Sequence, residues 1–252
     1  MRIPGTPTPA PNKMWQTIVF VLVAAFAVFI QVVAGFGGTL ISMPFGIMLV
    51  GVAISKPVLT IVAWLTGLIM AISGWKHIDF KELAKMTIVM LIGVFLGIWL
   101  FSSVSMNYLV ILYAIVVLLI GLKKFFKDSS KPLPAALQWG SLGIAGLMQG
   151  LFVSGGSFLV VYATSQIKDK QVFRSTVNAV WAILNTVLIV SYFVEGMLSA
   201  DVWKITGLCL IPTLGAFYLA EVVARKIKQK LFLKIAYPLL IVSGGVLLIT
   251  NL

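Results

Sequence analysis

Several stretches of this chain run about 18 residues or more without a charged side chain, and that bounds the fold more tightly than any motif. At ~1.5 Å of rise per residue, a helix of that length crosses the ~30 Å hydrocarbon core of a bilayer. Composition agrees. Of 252 residues, 60% are hydrophobic and only 10% charged, with a mean hydropathy of +1.09, whereas a soluble domain needs roughly 25% charged residues to dress its surface. A water-soluble globule is excluded. The first run, Met14 to Ala34, is too long for the roughly 7–15 residue core of a secretory signal, and Pro-rich residues 1–13 read as a short disordered tail. Cys209 is the one cysteine, so no disulfide forms within the chain, and its apolar segment makes it an ordinary packing residue.

Apolar runs and their breaks predict an all-α polytopic membrane protein in two halves. A hairpin over 14–54 turns at Gly35–Gly38 and is followed by spans at 57–75, 85–102 and 107–122. After a cytoplasmic linker, 123–135, a second hairpin over 136–166 turns near Ser154–Gly156, with spans at 175–194, 203–220 and 232–250 in the second half, 136–252. The formal net charge of +12 does not point to nucleic acid, because the basic residues gather in short loops between spans. Cytoplasmic loops collect Lys and Arg. The two most basic loops, Lys123/Lys124/Lys127/Lys131 and Arg225/Lys226/Lys228/Lys230/Lys234, are therefore placed inside. Those carrying Lys76/Lys81/Lys85 and Lys168/Lys170/Arg174 follow them, leaving Arg2, Lys13, Lys56 and Lys204 outside with both termini. This count makes each half one hairpin plus three spans, and an odd number of crossings per repeat inverts its topology. The motifs agree with a repeat: Gln31…Gly37-Gly38-Thr39 aligns with Gln149…Gly155-Gly156-Ser157 at an offset of 118, and Thr60 and Ala63 match Thr176 and Ala179 at 116.

The Gly-Gly steps predict where the chain leaves helical geometry. Glycine tolerates positive φ and close backbone approach. Irregular backbone at membrane depth must be buried in protein or line a wet cavity. The helix that restarts after each break points free N–H groups and a positive dipole end at the tip, a natural anion site. Thr39 and Ser157 are placed to cap that helix or donate to an oxyanion, Gln31 and Gln149 to add amide donors, and the two tips to meet near the midplane. The bland alternative is that the glycines only allow tight packing, as in Gly93-x-x-x-Gly97 and Gly146-x-x-x-Gly150. Pro44 removes a backbone donor just beyond the first tip. The sequence leaves both readings of the tips open.

Intramembrane Asn is costly, so Asn178 and Asn185 either pair across helices or face a pore. Trp64 and Trp181 read as packing or cavity walls, and Trp15, Trp75, Trp139 and Trp203 as interfacial anchors. His77 lies in a basic loop. All seven carboxylates fall in loops or at span ends. Proton-driven carriers and cation pathways commonly use acids inside the membrane. What remains inside is neutral donors and helix ends, which suits an anion. No cofactor, metal or nucleophile constellation stands out.

Gly35-Phe-Gly-Gly-Thr-Leu-Ile-Ser-Met-Pro44 and Ser154-Gly-Gly-Ser-Phe-Leu-Val-Val-Tyr162 resemble the two signature hairpins of the TauE/SafE sulfite exporter family. The resemblance covers nearly the whole chain. It implies a multi-pass exporter of sulfite, related sulfur oxyanions or organosulfonates in a bacterial inner membrane. By motif position it implies a substrate pocket of Gly37, Gly38, Thr39, Gly155, Gly156 and Ser157. With Gln31, Gln149, Ser154 and Asn178, these are the candidate substrate-binding residues. The second motif departs from the family pattern, with Ser157 for a third Gly and Tyr162 near an expected Pro. The expected partners are a small anion and the lipid bilayer, with a homo-oligomer left open. The competing readings are a non-transporting membrane scaffold or accessory subunit, and an uptake permease of the same fold.

Overall fold

The structure is a computed structural model and describes residues 14–126 and 134–224, together with 241, 242, 245, 248 and 249. Most of the last predicted span, 232–250, and of the two most basic loops lies outside these residues. Among the described residues there is no strand. The chain forms α1 (Met14–Ala34), α2 (Gly38–Val50), α3 (Val52–Ser73), a single 3₁₀ turn (Trp75–His77), α4 (Phe80–Ser103), α5 (Met106–Phe126), α6 (Ala135–Phe152), α7 (Gly156–Gln166), α8 (Lys170–Val194) and α9 (Ala200–Ala224). Five of these, α1, α3, α4, α8 and α9, are long and apolar enough to cross a membrane.

Both predicted hairpins form, α1–α2 and α6–α7. Their returning arms are short, 13 residues in α2 and 11 in α7, or roughly 20 and 16 Å at ~1.5 Å per residue. Neither arm reaches across a ~30 Å core. Between the hairpins run α3 and α8, an antiparallel central pair: Thr60 meets Tyr192, Trp64 meets Thr186, Gly67 meets Asn178 and Gly74 meets Ser175. Outside them, α4 packs along α6 and α9 along α1, while α3 touches α9 and α8 touches α4. These pairings exchange when α1, α3 and α4 are swapped for α6, α8 and α9.

Glycine sets the closeness of the α4–α6 pair. A Cβ on Gly146 would stand 2.1 Å from the Met90 carbonyl oxygen, and one on Gly150 2.4 Å from that of Val94. Gly93 and Gly97 face Gly143, Leu147 and Gly150 in return. The two small-residue motifs are one interface, the spacing lipid-embedded helices use to bring backbones together. Ile88, Ile92, Phe95 and Trp99 on the other face of α4 are exposed, as a lipid-facing surface requires.

Two expectations fail here. Lys56 is not in an external loop: α3 begins at Val52, and Lys56 is 1% exposed. Arg174 is not in a cytoplasmic loop but lies in the second turn of α8. α4 and α8 start before their apolar runs because N-caps allow charged residues such as Lys81 and Arg174 into the first turns, whereas α3 starts after Gly51 with no side-chain cap. Asp79 accepts from the N–H groups of Lys81 and Glu82, and Asp169 from those of Gln171 and Val172. Removing one residue from each side leaves the sign of the charge bias unchanged.

Candidate functional site

Each hairpin folds because a glycine lets the returning arm lie against the backbone of the first. A Cβ on Gly38 would fall 2.0 Å from the Ala27 carbonyl oxygen and 3.2 Å from Gln31 Cβ. One on Gly155 would fall 2.2 Å from the Ala145 oxygen and 3.3 Å from Gln149 Cβ. Gly38 and Gly155 are thus the equivalent residues, a register one residue away from the expected match of Gly37 with Gly155. Small residues and hydroxyls fit either register in sequence; only the contact with the first arm separates them.

The tips touch. A Cβ on Gly156 would lie 3.1 Å from the backbone nitrogen of Gly37, and the Thr39 hydroxyl donates to the Val153 carbonyl across the gap. Beside this contact is a cavity of about 10 Å³, of the order one water needs by that measure. From the tips it is lined by Gln31, Gly37, Thr39, Gln149, Val153 and Gly156, and from the central pair by Ala63, Trp181 and Asn185. Ala63 is midway along α3 and Trp181 midway along α8, so the cavity lies halfway down both. Among the described residues, no carboxylate or basic side chain lines it.

Of the ten residues singled out in the sequence, Gln31, Gly37, Thr39, Gln149 and Gly156 line the cavity. Gly38 and Gly155 shape it from behind through the packing just described. Asn178 supports it: its Nδ2 donates to the Arg174 carbonyl at 2.8 Å, and its Oδ1 accepts from Gln31 Nε2 at 3.3 Å. Ser154 turns away, its hydroxyl 2.7 Å from that of Tyr113 on α5. Ser157, half-buried on α7, is not among the lining residues. Nor are the glutamine amides free arms. Gln149 donates to Asn185 Oδ1 at 2.8 Å and accepts from the Gly155 N–H at 3.2 Å, while Gln31 also reaches the Ala63 carbonyl at 3.5 Å.

Sequence reasoning did not commit Asn185, Ala63 or Val153 to the site. Asn185 was signalled by the cost of an intramembrane amide. Val153 carried no signal; it sits in the left-handed region, φ 55°, which a β-branched residue rarely adopts. Its N–H reaches the Gln149 carbonyl and the Ser154 N–H that of Met148, a left-handed helix end of the kind glycine usually makes. Pro44 has a specific consequence as well. Lacking an N–H, it leaves the Leu40 carbonyl without its helical donor, and the Tyr113 hydroxyl approaches that carbonyl at 3.4 Å. Tyr162, at the departure from the family pattern, donates to Glu82 on α4 at 3.1 Å.

The helix starts complete the chemistry. In α2 the first backbone donor to close a helical bond is Ile41, onto Gly37, so the N–H groups of Gly38, Thr39 and Leu40 have no acceptor within the helix. In α7 the first donor to close such a bond is Phe158, onto Gly155, which leaves the N–H groups of Gly156 and Ser157 without an acceptor within the helix. Two positive helix ends and neutral amides thus surround a space that no acid among the described residues lines. Such a space can stabilise a negative charge without proton chemistry. Compared with known proteins, residues 20–247 match the family described as sulfite exporter TauE/SafE. No curated protein and no solved structure matches the chain.

Proposed function

The chain belongs to the sulfite exporter TauE/SafE family, a family of membrane transporters of sulfur anions, and from that premise we propose that it exports sulfite or a related organosulfonate between its two hairpin tips. The observation that carries this reading is the contact of the tips over a cavity ringed by Gln31, Thr39, Gln149 and Asn185. Substrate in this reading is held by the N-termini of α2 and α7 and by amide and hydroxyl donors. The cavity has room for about one water, so this conformation is an occluded one and transport requires the tips to part. The two halves act as inverted repeats that open the site to one side and then the other. Charge bias supports termini on the outer side of a bacterial inner membrane. An anion leaving a negative interior then gains about 2.3 kcal/mol per charge per 100 mV.

Flux of labelled sulfite and sulfoacetate in proteoliposomes tests this. We expect wild-type protein to move at least one of them, and Asn185→Leu to slow it at least about tenfold, the rate change that about 1.4 kcal/mol produces. A protein that moves neither anion is a scaffold, and the transport reading fails.

A further inference from the structure

Two basic residues stand in matching places on either side of the tip cavity. Lys56, Thr60 and Ala63 are at i, i+4 and i+7 of α3, on one helix face. Ala63 lines the cavity, and Lys56 is two turns away, about 10 Å along the axis. Arg174, Asn178 and Trp181 repeat this spacing on α8, 118 residues on, the offset that relates Gln31 to Gln149 and two residues beyond the Thr60–Thr176 match read from the sequence. Trp181 lines the cavity and Asn178 holds Gln31. Because α3 and α8 are antiparallel, the two basic residues lie toward opposite mouths.

Their surroundings differ. The Arg174 guanidinium donates to Glu221 on α9 at 2.7 Å and to the Val32 carbonyl beneath the first tip at 2.8 Å. It is neutralised. The Lys56 ammonium has no carboxylate within 4 Å among the described residues. It sits 3.2 Å over the Phe101 ring and 5.6 Å from that of Tyr192. The nearest acid that feels it is Glu195 at the end of α8, whose carboxyl burial pushes up and the Lys56 charge pulls partly back. Between Lys56 and the cavity stands one polar closure. Thr60 donates to the Lys56 carbonyl at 2.7 Å, so the hydroxyl 3.2 Å away on Tyr192 is the donor to Thr60.

A buried ammonium brings three donors and no acceptor. If packing were its only role, an apolar chain of similar length would serve at least as well. Ring faces hold a cation without neutralising it, which leaves its charge available to a passing anion. We propose that Lys56 is a docking station for the transported oxyanion, between the tip cavity and the mouth at Glu195. Arg174 is its counterpart toward the other mouth, held off by Glu221 in this conformation. An anion released from the tips passes the Thr60–Tyr192 closure and meets Lys56 before leaving. This inference rests on the transport reading and adds a second binding position to it.

The test is sulfite flux in oriented proteoliposomes, with half-saturation measured separately from each face. Lys56→Met is expected to raise half-saturation about tenfold or more at the Glu195 face alone, with Lys56→Arg restoring most of it. Glu221→Gln is expected to lower half-saturation at the opposite face. Thermal unfolding of Lys56→Met should begin no earlier than wild type, which separates a transport role from a structural one. Wild-type flux with unchanged kinetics in Lys56→Met, or an equal change at both faces, overturns the docking station and leaves the tip site standing. Absence of wild-type flux overturns both.

Discussion

The two hairpins share one packing solution and close their tips differently. In each, a glycine at the start of the returning arm lies on a carbonyl of the first, with a glutamine Cβ beside it. The first hairpin then turns through Gly35 and Gly37, both at positive φ, and its Gln31 reaches outward to α3 and α8. The second turns through Val153, and its Gln149 bends back to hold its own tip at Gly155 while also gripping Asn185. Ser154 is tied to Tyr113 besides. One tip is fastened from within, the other by its neighbours. Under alternating access, the second hairpin is the more preorganised binding surface, and the first depends on how α3 and α8 stand.

The shared feature should break hardest. Gly38→Val and Gly155→Val each drive a side chain into a carbonyl oxygen. Each should cost about 4 kcal/mol or more, read as loss of a folded, monodisperse protein in detergent. Survival of either variant with a wild-type melting profile would show that the arms are not packed as described. The difference between the hairpins comes next. Gln149→Leu strands the Gly155 N–H and unpairs Asn185, a loss of about 2 kcal/mol. Gln31→Leu removes only two long bonds, and should cost about 1 kcal/mol or less. A reversed order in thermal unfolding would contradict the distinction between an inward and an outward fastening. A comparably small effect is Gly37→Ala. A Cβ there meets nothing within 4 Å, and φ is +85°, so only left-handed strain of about 1 kcal/mol is expected.

Much of this was legible in the sequence because membranes impose few solutions. Uncharged runs predicted the helices, and the Gly-Gly steps predicted both tips and their meeting. What was hidden depended on contacts. The register of the second motif, Gly38 with Gly155 rather than with Gly156, is decided by which glycine touches the first arm. Lys56 and Arg174 looked like loop residues because basic side chains near span ends usually are. The Asp169 cap that starts α8 earlier carries Arg174 inside, and the Phe101 ring receives the Lys56 ammonium. Ser154 reads as a ligand until Tyr113, 41 residues of helix and linker away in no obvious pattern, is found against it.

The central claim is that an anion passes where the tips touch. Its most direct test is sulfite flux under an imposed membrane potential, comparing wild type with Gly156→Ala. The added methyl would lie 3.1 Å from the Gly37 nitrogen, a contact that alters the meeting of the tips without striking a carbonyl. The prediction is potential-driven flux in wild type and a loss of about tenfold or more in the variant, with thermal unfolding shifted by only a few degrees. Equal flux from both proteins, or indifference of wild-type flux to the potential, would contradict it.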